Sequence, residues 1–517
     1  MQDYSKGIDE PFIQDQRQRI EQAIVPAMAA LYDHDRPIFD ESFRPGLKYM
    51  EKVVSYFDYW ACGVSILAVL AGRGDAPAMA LVRKVMANTD YYLQHIYQKP
   101  LPDGQVFRTP PRRLLHHLGL AFAALKGRLE ARERDWFART VERVMPDVLE
   151  HNRQFLPGER DLHLTWANNH TAIFMQGLWT CGQVFDRPEW ARIAGEFAER
   201  FYESGHPDGY WEENTNAQRE GGPSLVYTRL TAGCLYDVLD GRGDPRDKFI
   251  RAGDFYRGFL NDDSEMIPLA DERTNSSGRP GGYGLALHSL TDRGRGFLRE
   301  VLSETDHAAQ TPEMLAVTYR ELELMATGPG DVPENHTDGA CRITLPLGIV
   351  RRDGFTAGLS ALRALNREIR PDSDYALDHQ NLLYLAHRRA GVILPATKSK
   401  RDPRFSTFRI GDDAYPARTG ALRLGDGWAE ADLHYETFSA RVRWDIADRA
   451  ALTLQTDDPR EVITSLLIAQ PERLRSDTPH ELAELPGFSP YSQGNLETTH
   501  TAAIFRWRHA LRVEFDA

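Results

Sequence analysis

The sequence predicts a multidomain α-then-β chain. An N-terminal (α/α) toroid of about six helical hairpins is followed by a C-terminal antiparallel β-sandwich. Three observations carry that expectation. Helical segments follow one another up to residue 327, a stretch rich in Gly, Pro and Asp comes next, and beyond it the pattern changes to short β-branched runs. With 517 residues the chain also exceeds what one hydrophobic core organises.

Helical periodicity is seen first from Gly46 to Ala71, where Tyr49, Val53, Tyr56, Phe57 and Trp60 fall on one face. Similar segments recur at 76–98, 111–128, 131–151, 170–185, 188–204, 223–240, 246–260 and 310–327. Turn residues punctuate the gaps, as in RGDAP, PLPDG, VFDRPEW and DGRGDP. Short loops between many antiparallel helices build stacked hairpins, which suit a closed ring. ATGPGDVPENHTDGA, Ala326 to Ala340, reads as a connector. The expected division is therefore a toroid over 1–327, a linker over 328–340 and a sandwich over 341–517. Strands are expected within CRITLPLGIVRRDGFTAGLSAL, AGVILPAT, FSARVRWDIADRAALTLQT, EVITSLLIA and AAIFRWRHALRVEF.

Composition narrows the partners. Hydrophobic residues make up 42% and charged residues 26%, as in a folded soluble protein. The formal net charge is −13 with no basic block, which argues against nucleic-acid or anionic-membrane partners. A local group of Arg and His can still bind an anionic sugar. Cys62, Cys181, Cys234 and Cys341 are far apart and read as buried free thiols. The N-terminus MQDYSKGIDEPFIQDQRQRIEQ has no basic n-region and no apolar h-region, so a cytoplasmic location and imported oligosaccharide substrates are expected.

Three segments concentrate candidate chemistry. In LTWANNHTAIFMQGLW, Trp166, Asn168, Asn169 and His170 stand where a loop enters a helix. Helix capping is the plain alternative for the asparagines. In GHPDGYWEENTNAQREGGPSLVYTRL, a turn precedes Tyr210, Trp211, Glu212 and Glu213, then Arg219 and Tyr227. Aromatic rings beside polar groups make sugar platforms, and core packing is the alternative. In DSDYALDHQNLLYLAHRRAGVILP, His379 precedes an apolar run. The polar loop MIPLADERTNSSGRPGGYG adds Asp271, Glu272, Arg273 and Arg279 as candidates for substrate contact. His116 and His117 read as helix surface and core edge, not as a metal site.

Together these residue types suit β-elimination from a uronate. The C5 proton is barely acidic while the neighbouring carboxylate is ionised, so an amide such as Asn169, with Arg219 or a histidine, must take up the developing charge. A base removes the proton and an acid protonates the leaving O4. Tyrosine, with a reference pKa of ~10, needs nearby positive charge to act as that base. No metal or cofactor is required.

The Asn-Asn-His set, with Arg219 49 and Tyr227 57 residues beyond His170, resembles polysaccharide lyases of the helical-toroid type, the alginate lyases among them. The order of toroid, DG-x-x-E turn, tyrosine and β-domain histidine is similar to the heparinase II/III and oligoalginate lyase group. The resemblance implies that Asn169 neutralises the carboxylate and His170 assists it or acts as base. Tyr227 would then be the acid, or both acid and base. Arg219 would support the carboxylate or lower the Tyr227 pKa, and His379 would complete the site from the β-domain. Trp166, Asn168, Tyr210, Trp211, Glu213, Asp271 and Arg273 would contact substrate. His379-Gln380-Asn381 lacks the further ligands that bind zinc in some relatives, so no metal is expected. Two rivals stay open: an inverting hydrolase using two of Glu212, Glu213 and Asp271, and a sugar-binding protein without catalysis.

Overall fold

The structure, a computed structural model, describes residues 3–32, 57–95, 97, 111–153, 169–211, 223, 225–239, 247–270, 279, 281–361, 383–395, 408–411, 413–414, 419–485 and 500–517. The chain divides into two compact units. The first comprises Met1–Gly205, Arg229–Ile250 and Gly281–Asp331, and the second His206–Thr228, Arg251–Pro280 and Val332–Ala517. The chain leaves the first unit for the last time at Asp331, inside the expected linker. Two segments read from sequence as part of the helical domain, His206–Thr228 and Arg251–Pro280, group instead with the strands.

The helices, in chain order, are α1 Glu10–Tyr32, α2 Val64–Gly72, α3 Ala76–His95, α4 Arg112–Leu125, α5 Ala131–Arg153 and α6 Asn169–Val184. They continue as α7 Pro188–Glu203, α8 Leu225–Leu239, α9 Asp247–Gly258, α10 Leu285–His288, α11 Asp292–Glu304 and α12 Pro312–Leu324. Two kinds alternate in the first unit. In α4 and α6 almost every side is buried, which a helix hydrophobic all round requires. In α7 the apolar stripe Trp190, Ala194, Phe197 and Phe201 is buried and the charged face is exposed. The former line the ring and the latter surround it. First and last helices, α1 and α12, pack together and close it.

Small residues set the helix spacing. A Cβ at Gly119 of α4 would lie 2.8 Å from Thr180 Cγ2 of α6, and one at Gly177 of α6 3.1 Å from Leu115 Cβ. Gly182 of α6 touches α7, where a Cβ would come within 2.5 Å of the Ala191 backbone nitrogen. Ends are fixed by local chemistry. The Thr291 side chain accepts from Gly294 N–H, and that of Thr311 from Met314 N–H with Pro312 following at the first helical position. Helices α10 and α11 were not singled out from sequence. Among the described residues no helix is long and apolar enough to cross a membrane.

The second unit carries three antiparallel sheets. One joins β1 Gly339–Arg342, β2 Leu347–Arg352, β3 Phe355–Ser360, β4 Leu383–His387 and β5 Gly391–Leu394 in order. The other strands are β6 Arg409–Ile410, β7 Asp413–Ala414, β8 Thr419–Gly425, β9 Trp428–His434, β10 Ser439–Ile446, β11 Ala450–Thr456, β12 Val462–Ile468, β13 Leu474–Arg475, β14 His480–Leu485, β15 His500–Trp507 and β16 Ala510–Phe515. They form sheets ordered β13-β16-β11-β10-β9-β8 and β14-β15-β12-β6-β7. Burial alternates along β9 and β10, as one face covered and one solvated demands. The inward residues make one core around Trp444, Phe408, Phe505 and Phe515. Trp444 Nε1 donates to Gly358 O at 3.2 Å, and Trp507 Nε1 to Thr464 Oγ1 at 3.0 Å, so both indoles are buried without an orphaned donor. Every strand-bearing run read from sequence contains strands. The hairpin of β8 and β9, turned at Gly427 with φ 72°, was not singled out.

The α6–α7 contact is directly testable. Gly182→Ala forces a methyl into the Ala191 backbone and should cost about 1–3 kcal/mol. The urea midpoint should fall accordingly. An unchanged midpoint would mean that the two helices do not meet at this glycine.

Candidate functional site

Within the first unit the ring-lining helices run in the same direction. His117 Nδ1 of α4 is 3.0 Å from Ser65 Oγ of α2, His116 Nδ1 is 2.8 Å from Thr180 Oγ1 of α6, and Gln176 Nε2 of α6 donates to Asp237 Oδ2 of α8 at 2.7 Å. Near-constant residue offsets between neighbouring helices follow from that parallel course. Their N-termini therefore gather at one end of the ring, where the positive ends of their dipoles coincide.

A buried charge cluster ties these ends together. Asp58 Oδ1 accepts the backbone N–H groups of Arg113 at 2.9 Å and Leu114 at 3.0 Å. A carboxylate from elsewhere in the chain thus caps α4, whose own preceding residue, Pro111, supplies no side-chain cap. Arg113 Nε lies 2.6 Å from Glu313 Oε1, and its Nη1 3.7 Å from Asp58 Oδ2. The guanidinium carbon is 4.3 Å from the Tyr59 ring centre and 6.0 Å from that of Tyr283. Burial pushes the Asp58 and Glu313 carboxyls up, and Arg113 opposes this at both. Burial also raises the Tyr283 phenol against the pull of Arg113, so this phenol stays protonated.

Asn169 is the first residue of α6 and is 4% exposed. Among the described residues its side-chain amide has no hydrogen-bond partner, so capping does not account for it. His170 beside it is exposed. Ile173, Phe174 and Leu178 are buried, as expected of the inward side of this helix. Trp166 and Asn168 lie outside the described residues.

In the second unit the turn 206–211 is held firmly. Gly209 adopts φ 91°, and a Cβ there would sit 2.3 Å from the Arg251 carbonyl carbon. Asp208 accepts from Thr344 N–H at 2.7 Å and from its hydroxyl at 3.1 Å. Tyr210 stacks on His206 at 4.3 Å and packs against Phe255. Tyr210 and Trp211 are only 1% and 3% exposed, which corrects their reading as sugar platforms. They are packing residues, because the turn is drawn down onto Arg251 and Thr344 and leaves no open ring face. Tyr227, half-buried, stands in the first turn of α8. Its neighbour Thr228 donates through Oγ1 to Trp211 O at 3.3 Å, which joins that turn to the helix start. Glu212, Glu213, Arg219, Asp271, Glu272, Arg273 and His379 lie outside the described residues.

Two polar groups were missed or misread from sequence. His116 and His117 are buried at 3% and 2% exposure, and so are not helix surface. His116 bonds to Thr180 and His117 to Ser65, while Gln176 and Arg320 donate to the Asp237 carboxylate beside them. Burial brings the His116 pKa down to about 4 against the pull of Asp237, so it is a neutral structural imidazole near pH 7. The Asp58–Arg113–Glu313–Tyr283 cluster had one legible signal. Arg112 and Arg113 open an apolar helix, at the end where its dipole disfavours cations.

Glu321 of α12 is also enclosed. Its oxygens accept the N–H groups of Gly284 at 2.7 Å and Ala286 at 2.8 Å. Burial raises its pKa from 4.5 to about 7, against those two N–H groups. Between these values the folded chain holds a proton that the unfolded chain has lost. The resulting stabilisation is complete below pH 4.5 and disappears as pH rises through 7. Glu321→Gln, which cannot ionise, should gain stability relative to the wild type by up to about 3 kcal/mol between pH 4.5 and 8. Urea melts across that range test it, and a constant difference would contradict it.

No protein-family model matches the sequence, and no curated protein matches it. Solved structures do. The chondroitin AC lyase of Streptomyces coelicolor A3 aligns with a TM-score of 0.56 at 13% identity, over 98% of this chain and 80% of that one. A heparinase III gene product aligns at 0.55 and 10% identity, over 97% and 83%. The heparan sulfate lyase HepC of Pedobacter heparinus aligns at 0.54 and 9% identity, over 100% and 84%. The fold is thus similar, along nearly its whole length, to that of polysaccharide lyases built from a helical toroid and β-sheets.

Proposed function

We propose that this chain is a lyase acting on uronate-containing oligosaccharides or polysaccharides. It cleaves them by metal-independent β-elimination and leaves a 4,5-unsaturated uronate at the new non-reducing end. The observation that carries the reading is Asn169, an amide at a ring-lining helix start whose side chain has no hydrogen-bond partner among the described residues. Such an amide can bind the uronate carboxylate and take up charge as the C5 proton leaves. Tyr227 serves as acid, or as both acid and base, with His170, Arg219 and His379 in support. Asn168, Trp166, Glu213, Asp271 and Arg273 contact the sugar chain.

One further point supports the reading. The similar folds also belong to enzymes named for heparan sulfate and chondroitin, and one was solved with chondroitin sulphate.

Incubation with uronate oligosaccharides, following ultraviolet absorbance and reducing ends together, tests the proposal. Both signals should rise in step. Tyr227→Phe and Asn169→Ala should each lower kcat by roughly 10²–10⁴-fold. Reducing ends without absorbance would mean hydrolysis, and full activity in Tyr227→Phe would remove that residue from the mechanism.

A further inference from the structure

Arg112, the first residue of α4, makes no hydrogen bond or ion pair with any described residue. Its neighbour Arg113 is satisfied by Glu313, Asp58 and two tyrosine rings. Arg112 is partly buried, yet among the described residues it has neither a hydrogen bond nor an ion pair. Asp58 is the nearest source of negative charge, but its Oδ1 already accepts two backbone N–H groups and its Oδ2 faces Arg113. Burial holds the Arg112 pKa below the usual arginine value, which Asp58 opposes and Arg113 reinforces. A cation in the first turn also works against the helix dipole. Burial, Arg113 and the helix dipole therefore all act against this cation, and among the described residues only the charge of Asp58 and the rings of Tyr59 and Tyr92 act for it, none through a hydrogen bond. An arrangement of that kind fits a residue whose counter-charge arrives with a ligand.

The position indicates which ligand. A Cβ at Gly177 would lie 3.8 Å from the Arg112 carbonyl oxygen, so α4 begins level with Gly177 of α6. The first two turns of α6 extend about 12 Å beyond that level, to Asn169. Arg112 stands at the foot of this step and Asn169 at its head. A guanidinium fork matches planar or tetrahedral oxyanions through paired N–H donors.

We propose that Arg112 binds an oxyanion of the sugar chain, a carboxylate or a sulfate ester, on a sugar further along than the one that reacts at Asn169. This rests on the lyase reading for its substrate class, but binding can be measured without turnover.

Arg112→Met and Arg112→Lys are compared with the parent in a Tyr227→Phe background. Calorimetric titration uses a uronate tetrasaccharide, its carboxyl-reduced counterpart and a sulfated neutral tetrasaccharide. Arg112→Met should weaken the uronate roughly tenfold or more and leave the carboxyl-reduced sugar unchanged. Arg112→Lys should recover part of the loss. A loss seen only with the sulfated sugar assigns the site to sulfate. The ligand-free Arg112→Met protein should melt at an equal or higher temperature, whereas a structural arginine would lower it. Unchanged affinity for both anionic sugars, equal weakening of the uncharged one, a lower melting temperature, or no binding of any of the sugars would each overturn the proposal. If the wild type binds through Arg112 yet yields no unsaturated product, the elimination reading fails and Arg112 stands. If product forms and Arg112→Met binds as its parent does, only Arg112 falls.

Discussion

The Asp58 carboxylate organises the helical unit more than any other single group. It closes the open N–H groups at the start of α4 and faces the guanidinium of Arg113, which in turn holds Glu313 at the start of α12. A helix end buried without partners is costly, and so is a buried unpaired cation. Each problem is resolved only if these helices keep their present register. The same contacts that stabilise the ring thereby fix where its helix starts, and so its most polar surface, are placed.

That arrangement is compatible with the anionic sugar proposed as substrate, despite the acidic composition. The net charge of −13 describes the whole surface, whereas binding responds to the local field. Parallel helix starts bring the positive ends of their dipoles together beside Arg112 and the amide of Asn169. Deeper in the ring, Gln176 and Arg320 hold the Asp237 carboxylate, and His116 bonds to Thr180. The ring is thus polar in two distinct senses. Its interior network specifies packing, and its open end offers chemistry.

Much of the fold was legible because it is periodic. Helices repeating at three and four residues and strands alternating at two announce themselves locally, and the segments found from sequence match elements observed among the described residues. What was not legible depends on partners far along the chain. Tyr210 and Trp211 sit among polar residues and looked exposed, but Asp208 reaches Thr344, 136 residues away, and pulls their turn inward. His116 and His117 looked peripheral because nothing local reveals Thr180 or Ser65 as their partners. Asn169 was legible as a candidate because three polar residues precede an apolar helix. Arg112 and Arg113 were visible as an anomaly against the helix dipole, but only Glu313 and Asp58 show which of the two is already occupied.

The two units are interleaved along the polypeptide, which crosses between them five times. The strand-rich unit needs pieces borrowed from the middle of the helical region. Arg351 of β2 donates to the carbonyls of Gly258 and Leu260, and Tyr384 of β4 accepts from Asn261. A fragment beginning at Val332 would leave that arginine buried with no carbonyls to receive it. The architecture is therefore not a pair of exchangeable modules. Severing the chain at its last crossing would therefore part the strands from segments of their own unit.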